Sequence, residues 1–117
     1  MDKQEMLERT KAFAVRIIRL VSALPRNRTA DVLGRQLLKS GTSIGANYRE
    51  ALRASSRRHF ITTLEIAARE ADETLYWLEL LAETKTIDAK RLTELIQENN
   101  EILAILTATI NTAKSRS

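Results

Sequence analysis

The side chains best equipped for chemistry lie in the second quarter of the chain. Ser40, Ser43, Asn47 and Glu50 follow one another at i, i+3, i+7 and i+10, which places two hydroxyls, an amide and a carboxylate along one flank of a helix. Such a set could line a polar site. The same spacing also suits hydrogen bonds between packed helices, and we read it as a structural polar flank. Asn47 is a poor helix former, so its place inside a helix calls for a specific partner for its amide. His59 is the one histidine of the chain. It stands three residues after Ser56, where a capping box would carry Glu or Gln, and it follows Arg57 and Arg58. A cationic imidazole is disfavoured at a helix N-terminus, so His59 reads as a surface residue.

The exclusions are broader than the candidates. Without cysteine there are no disulfides, thiolate metal sites or thiol nucleophiles. With one histidine, sites that need two are ruled out. A di-iron bundle requires paired Glu-x-x-His motifs, and Ser56 stands where the Glu of such a motif would precede His59. No P-loop, dinucleotide-binding glycine pattern or G-x-S-x-G occurs. The expectation is a protein without catalytic residues, cofactor or metal. An enzyme built on the Ser43/Asn47/Glu50 flank is the reading with least support.

The charge pattern points elsewhere. The net charge is +4, but its distribution is uneven. Residues 1–25 carry +2, residues 26–58 carry +6, residues 59–84 carry −5 and residues 85–117 carry +1. At about 100° per residue, Arg28, Arg35, Lys39, Arg49 and Arg53 fall within a stripe roughly 80° wide on one helix. Glu65, Asp72, Glu79 and Glu83 form an acidic stripe on the next helix. Two readings stay open. The stripes are solvated faces that pair with each other across a bundle or subunit contact, or the basic stripe is a candidate nucleic-acid-binding surface that neutralises phosphates. Nothing in the pattern specifies a base sequence. Five aromatic residues in the chain are too few to favour stacking platforms for single strands.

These residues must be positioned by helices. One domain spans residues 1–117, with 3 glycines and 1 proline, too little turn material for a many-stranded β fold. A 3.6-residue apolar period marks four helices at about 3–24, 29–54, 56–83 and 88–114. The first carries Met6, Leu7, Thr10, Ala14, Ile17, Ile18, Val21 and Leu24 on one face, widened by Phe13 and Leu20, and stops before Pro25. Ser56 and Asp88 are N-cap candidates. Gly41 and Gly45 cost about 1 kcal/mol each in a helix, which is tolerated where another helix approaches closely. Short connections favour an all-α, antiparallel up-down-up-down four-helix bundle. Ile66, Glu70, Glu73, Trp77 and Leu80 form a second stripe on the third helix, rotated from its main core face. An exposed Trp77 with Ile66 and Leu80 would be an apolar patch, so Ile66, Glu73, Trp77 and Leu80 are candidates for an oligomer interface. The charged N-terminus is not a signal peptide and no apolar run reaches the ~18 residues of a membrane span, so no membrane partner and a cytoplasmic location are expected.

Two long runs carry a resemblance. Ser40-Gly41-Thr42-Ser43-Ile44-Gly45-Ala46-Asn47-Tyr48-Arg49-Glu50-Ala51, and the series Phe60-Ile61, Leu64-Glu65-Ile66-Ala67 and Arg69 to Leu81, resemble signatures of the bacterial 23S rRNA intervening-sequence proteins. Ile110-Asn111-Thr112-Ala113-Lys114 resembles the usual ending of that family. The resemblance implies an antiparallel four-helix bundle that assembles as a homopentamer. The family is also similar to the accessory variability determinant of diversity-generating retroelements, a basic pentamer that binds nucleic acid and a reverse transcriptase. It has no accepted catalytic residues to carry over, and its name does not make it a ribosomal component. His59 departs from it, since members commonly carry Asp or Glu there. The expected partners are therefore further copies of this chain, RNA or DNA, and a protein partner. The alternative is a protein-interaction scaffold without nucleic-acid binding, its charged faces serving self-assembly.

Overall fold

The computed structural model describes residues 1–116. Four helices follow one another: α1 (Lys3–Ser22), α2 (Arg28–Leu52), α3 (Arg57–Glu83) and α4 (Ala89–Ser115). Each begins at a side-chain cap. The Asp2 carboxylate accepts from the Glu5 N–H at 2.7 Å, and the Asn27 amide oxygen accepts from the Ala30 N–H at 2.9 Å. The Ser56 hydroxyl accepts from the His59 N–H at 3.1 Å, and the Asp88 carboxylate from the Lys90 N–H at 3.1 Å. Ser56 and Asp88 are the caps expected from sequence, and they satisfy N–H groups that have no partner inside the helix. Ser56 thus caps α3 rather than beginning it. The Asn27 cap likewise starts α2 one residue early.

The C-terminal ends of α1, α2 and α4 differ from expectation by one to two residues, and α3 ends at Glu83 as expected. α1 stops at Ser22 rather than Leu24, because Leu24 precedes Pro25 and is pushed out of the helical region. α2 stops at Leu52 rather than Ala54, its last carbonyls taken up by the Arg53 N–H. After α3, Lys85 adopts φ 55°. The Lys85 N–H then bonds the Ala82 carbonyl, and the Thr86 N–H bonds the Leu81 carbonyl, both at 3.1 Å. This is a Schellman closure with lysine where glycine is usual.

Cross-helix contacts define the topology. The three glycines of α2 lie against α1 in reversed order: Gly34 faces Val21 and Leu24, Gly41 faces Ile17, and Gly45 faces Thr10. Ser40 of α2 meets Thr74 of α3. Asn99 reaches Ala71, and Lys114 reaches Glu65, so α3 and α4 also run oppositely. Arg9 pairs with Glu98 and Glu101, and Arg16 with Glu94, closing α4 back onto α1 in antiparallel register. The chain is an all-α antiparallel four-helix bundle, 48 Å long and about 20 Å across.

One apolar core runs through all four helices, with Phe13, Ile17, Leu37, Ile44, Leu64, Leu78, Leu92, Ile102 and Leu106 fully buried. On α1 the buried stripe is Met6, Thr10, Phe13, Ile17 and Leu20. Phe13 and Leu20 are therefore central, not peripheral as expected, and Ile18 is 46% exposed. Ile18 follows Ile17 and turns about 100° away from it, so both cannot face the same core. On α3 the buried stripe is Thr63, Leu64, Ala67, Ala71, Thr74, Leu78 and Leu81. No helix among the described residues is long and apolar enough to cross a membrane.

Candidate functional interface

α2 buries one face through Leu37, Ile44, Tyr48 and Ala51, so its opposite face must meet water. Arg28, Arg35, Lys39 and Arg49 lie there, Arg53 follows at the C-cap, and all five are exposed. None of them forms an ion pair among the described residues. Past the end of α2 the cationic surface continues in Arg57 and Arg58, in the first turn of α3, where no acidic residue offsets them. The Arg57 guanidinium donates to the Arg116 carbonyl at 2.5 Å, which ties the start of α3 to the end of α4.

The acidic stripe of α3 does not answer these cations within the chain. Glu65 pairs with Lys114 of α4 at 3.0 Å. Asp72, Glu79 and Glu83 are exposed and make no ion pair among the described residues. Both stripes are thus left to act outward.

The second stripe of α3 is partly different from expectation. Ile66 and Leu80 are half-buried and Glu73 is exposed. Trp77 is not an exposed anchor: it is half-buried and packs against the core. Its indole N–H is buried with no hydrogen-bond partner among the described residues. A bicyclic ring at the edge of the core face can bury much of its surface while its helix position still looks peripheral. The exposed aromatic is its neighbour Tyr76, which is 55% exposed and meets the Trp77 ring edge-on at 5.1 Å. The helical period puts Tyr76 on the solvent side, and its aromatic character there was the signal missed. Glu70 is half-buried. Burial pushes its carboxyl above the usual carboxylate range and neighbouring Glu73 adds to this, with Lys39 and Arg69 pulling the other way.

The polar flank separates into unlike parts. The buried Ser40 hydroxyl lies 2.9 Å from the Thr74 hydroxyl and links α2 to α3. Ser43 donates to the Lys39 carbonyl at 2.6 Å, and the Asn47 amide donates to the Ser43 carbonyl at 2.8 Å. These two fold back on their own helix, and Glu50 is exposed. The expected inter-helix network is therefore one contact, because a short polar side chain inside a helix reaches the carbonyl four residues back before it reaches a neighbour. The Ser43 hydroxyl proton is committed to backbone. Thr74 and Asn99 are the buried polar groups that the sequence reading did not treat as partners. Asn99 donates to the Ala71 carbonyl at 2.9 Å, and its amide oxygen is buried without a partner among the described residues. Among the described residues, no group of three or more His, Cys, Asp or Glu side chains is placed to hold a metal ion.

Comparison with known proteins agrees with this geometry. The chain is similar to a protein of unknown function from the S23 ribosomal protein family of Bacteroides thetaiotaomicron, known from a crystal structure. The identity is 41%, the TM-score is 0.88, and the alignment covers 95% of this chain and 99% of that one. No curated protein matches. The family profile described as 23S rRNA-intervening sequence protein matches residues 2–108, which takes in all of α1, α2 and α3 and most of α4. With both long sequence signatures lying on the packed α2–α3 pair, the chain belongs to the 23S rRNA-intervening sequence protein family.

Proposed function

We propose that this protein is a non-enzymatic, self-assembling helical adaptor that binds RNA or DNA through the outer face of α2. The observation that carries this reading is the set of five exposed cations, Arg28, Arg35, Lys39, Arg49 and Arg53, with no acidic partner among the described residues. Cations along one helix face contact successive phosphates and release counterions, which gives binding that tolerates sequence and weakens steeply with salt. Self-assembly is supported by the half-buried Ile66 and Leu80 and the exposed Tyr76 of α3, and by Glu70 and Glu73, two carboxylates without an ion pair among the described residues. In a homopentamer, which the family resemblance implies, the α2 stripes repeat by symmetry. Later contacts then become intramolecular and several weak ones act together.

The second reading rests on the equally unpaired Asp72, Glu79 and Glu83 of α3. There, the α2 cations pair with these acids in a neighbouring subunit, and the protein is a scaffold without nucleic-acid binding. Changing Arg35, Lys39 and Arg49 together to Glu separates the two. On the first reading, a gel shift with RNA or duplex DNA is lost while the particle keeps its size. On the second, the variant dissociates, and the unmutated protein gives no shift even at low salt.

A further inference from the structure

The α1–α4 seam is an antiparallel ladder of charge. Arg9 meets Glu98 and Glu101 at 2.6 and 2.7 Å. Two turns on, Arg16 meets Glu94 at a looser 3.5 Å, and the Glu94 side chain is 85% exposed. One turn further, this register calls for an acid on α4 opposite Arg19, but the residue is Arg91. Arg16, Arg19 and Arg91 instead line a cleft of about 220 Å³ with Leu20 and Leu95.

Three arginines from two helices thus line one cleft, and among the described residues Glu94 is the one carboxylate in an ion pair with any of them, its side chain facing water. Arg19 and Arg91 are exposed and have no ion pair among the described residues. Arg91, like Lys90, lies in the first turn of α4, where the helix dipole favours an anion over a cation and the acid that precedes them is the Asp88 cap, which accepts from the Lys90 N–H. Guanidinium forks match the oxygens of a phosphate group in pairs, which a carboxylate-poor cleft leaves free to act.

We propose that the Arg16–Arg19–Arg91 cleft between α1 and α4 is a phosphate-binding site, separate from the outer face of α2. It does not depend on the α2 reading. The phosphate group comes either from a nucleic-acid backbone or from a free phosphate or nucleotide, and the chemistry of recognition is the same.

The test uses the full chain labelled with ¹⁵N, titrated with inorganic phosphate at constant ionic strength and separately with a short RNA. The backbone amides of Arg19, Arg91 and Leu95 should shift and saturate with phosphate. The double variant Arg19→Gln/Arg91→Gln should weaken phosphate binding by about tenfold or more, since it removes two charge-assisted contacts. Both positions are exposed, so the fold should survive, and circular dichroism checks this. Glu94→Gln should tighten binding by removing the competing carboxylate. Asp72→Asn, the same charge change on α3, should leave it unaltered. Shifts of the same amides with RNA assign the site to the nucleic-acid backbone, and shifts with phosphate alone assign it to a free phosphate or nucleotide. Saturable phosphate shifts that persist in the Arg35/Lys39/Arg49→Glu variant keep this site even if the α2 reading fails. Absence of saturable shifts at these amides with both probes would overturn the proposal. So would undiminished binding in the double arginine variant.

Discussion

α1 is held by two neighbours in two different ways. Against α2, the glycines of α2 let the backbones come close. A Cβ on Gly41 would lie 2.9 Å from Ile17 Cγ2, and one on Gly45 would lie 3.2 Å from Thr10 Cβ. Against α4, the helices keep a sparser contact bridged by long side chains, with Arg9 forked between Glu98 and Glu101. Hydrogen bonds donated to both carboxylates, Glu98 foremost, hold the Arg9 guanidinium in its charged form. The first seam depends on volume, which is short-ranged and unforgiving. The second depends on charge, which tolerates distance and yields to salt. A helix anchored by packing on one side and ionic contacts on the other leaves the ionic side free to carry surface function, which is where the arginine cleft lies.

The largest expected effect tests the packed seam. Gly45→Leu should destabilise the bundle by about 1–3 kcal/mol, because the added side chain meets both the Thr10 side chain and, at 3.4 Å, its backbone carbonyl carbon. Thermal unfolding measures this, and an unchanged melting temperature would show that α1 shifts freely. A smaller effect is expected at the ionic seam. Arg9→Gln should cost about 1 kcal/mol at low salt, the upper range for a partly exposed pair, and the loss should shrink in high salt. Chemical denaturation with urea at two salt concentrations reads it, since urea adds no ionic strength. A salt-independent loss would mean that Arg9 contributes through its aliphatic stem instead. The smallest effect sharpens the boundary of the packed seam. At Gly34 a Cβ would meet only the side-chain ends Leu24 Cδ1 at 3.2 Å and Val21 Cγ1 at 3.3 Å. Those ends can move, and alanine is the better helix former, so Gly34→Ala should fall within about 0.5 kcal/mol of the parent. A loss as large as that of Gly45→Leu would extend the tight seam along the whole of α2.

Much of this was legible before any coordinates. Ser56 and Asp88 were readable as caps because capping is a local contest between a side-chain oxygen and the N–H groups two or three residues on. The mid-helix Gly41 and Gly45 signalled close approach because their helix cost demands a compensation. The α2 stripe was readable from the helical period alone. Trp77 was harder: the period gave its angle but not how far an indole reaches back over the core. The partners of the polar flank are not legible in the sequence for a related reason. Spacing places Ser43 and Asn47 on one side of α2, but whether they bond a neighbour or their own carbonyls depends on how far away α3 lies.

Local rules of capping, helix propensity and 3.6-residue periodicity, all written within a few residues of chain, determine the four helices, their order and the outward face of each. Which outward faces then come together depends on residues far apart in sequence. Nothing in the spacing of Arg9, Arg16 and Arg19 relative to Glu94, Glu98 and Arg91 reveals that they share a seam. The axial offset of α4 against α1 is set by the packing of both helices on the core they share with α2 and α3. A shift of one helical turn, about 5.4 Å, would give Arg91 a different neighbour. The tertiary structure alone decides that the ladder ends in three arginines, because charge at a surface acquires meaning only from what lies within a few ångströms of it.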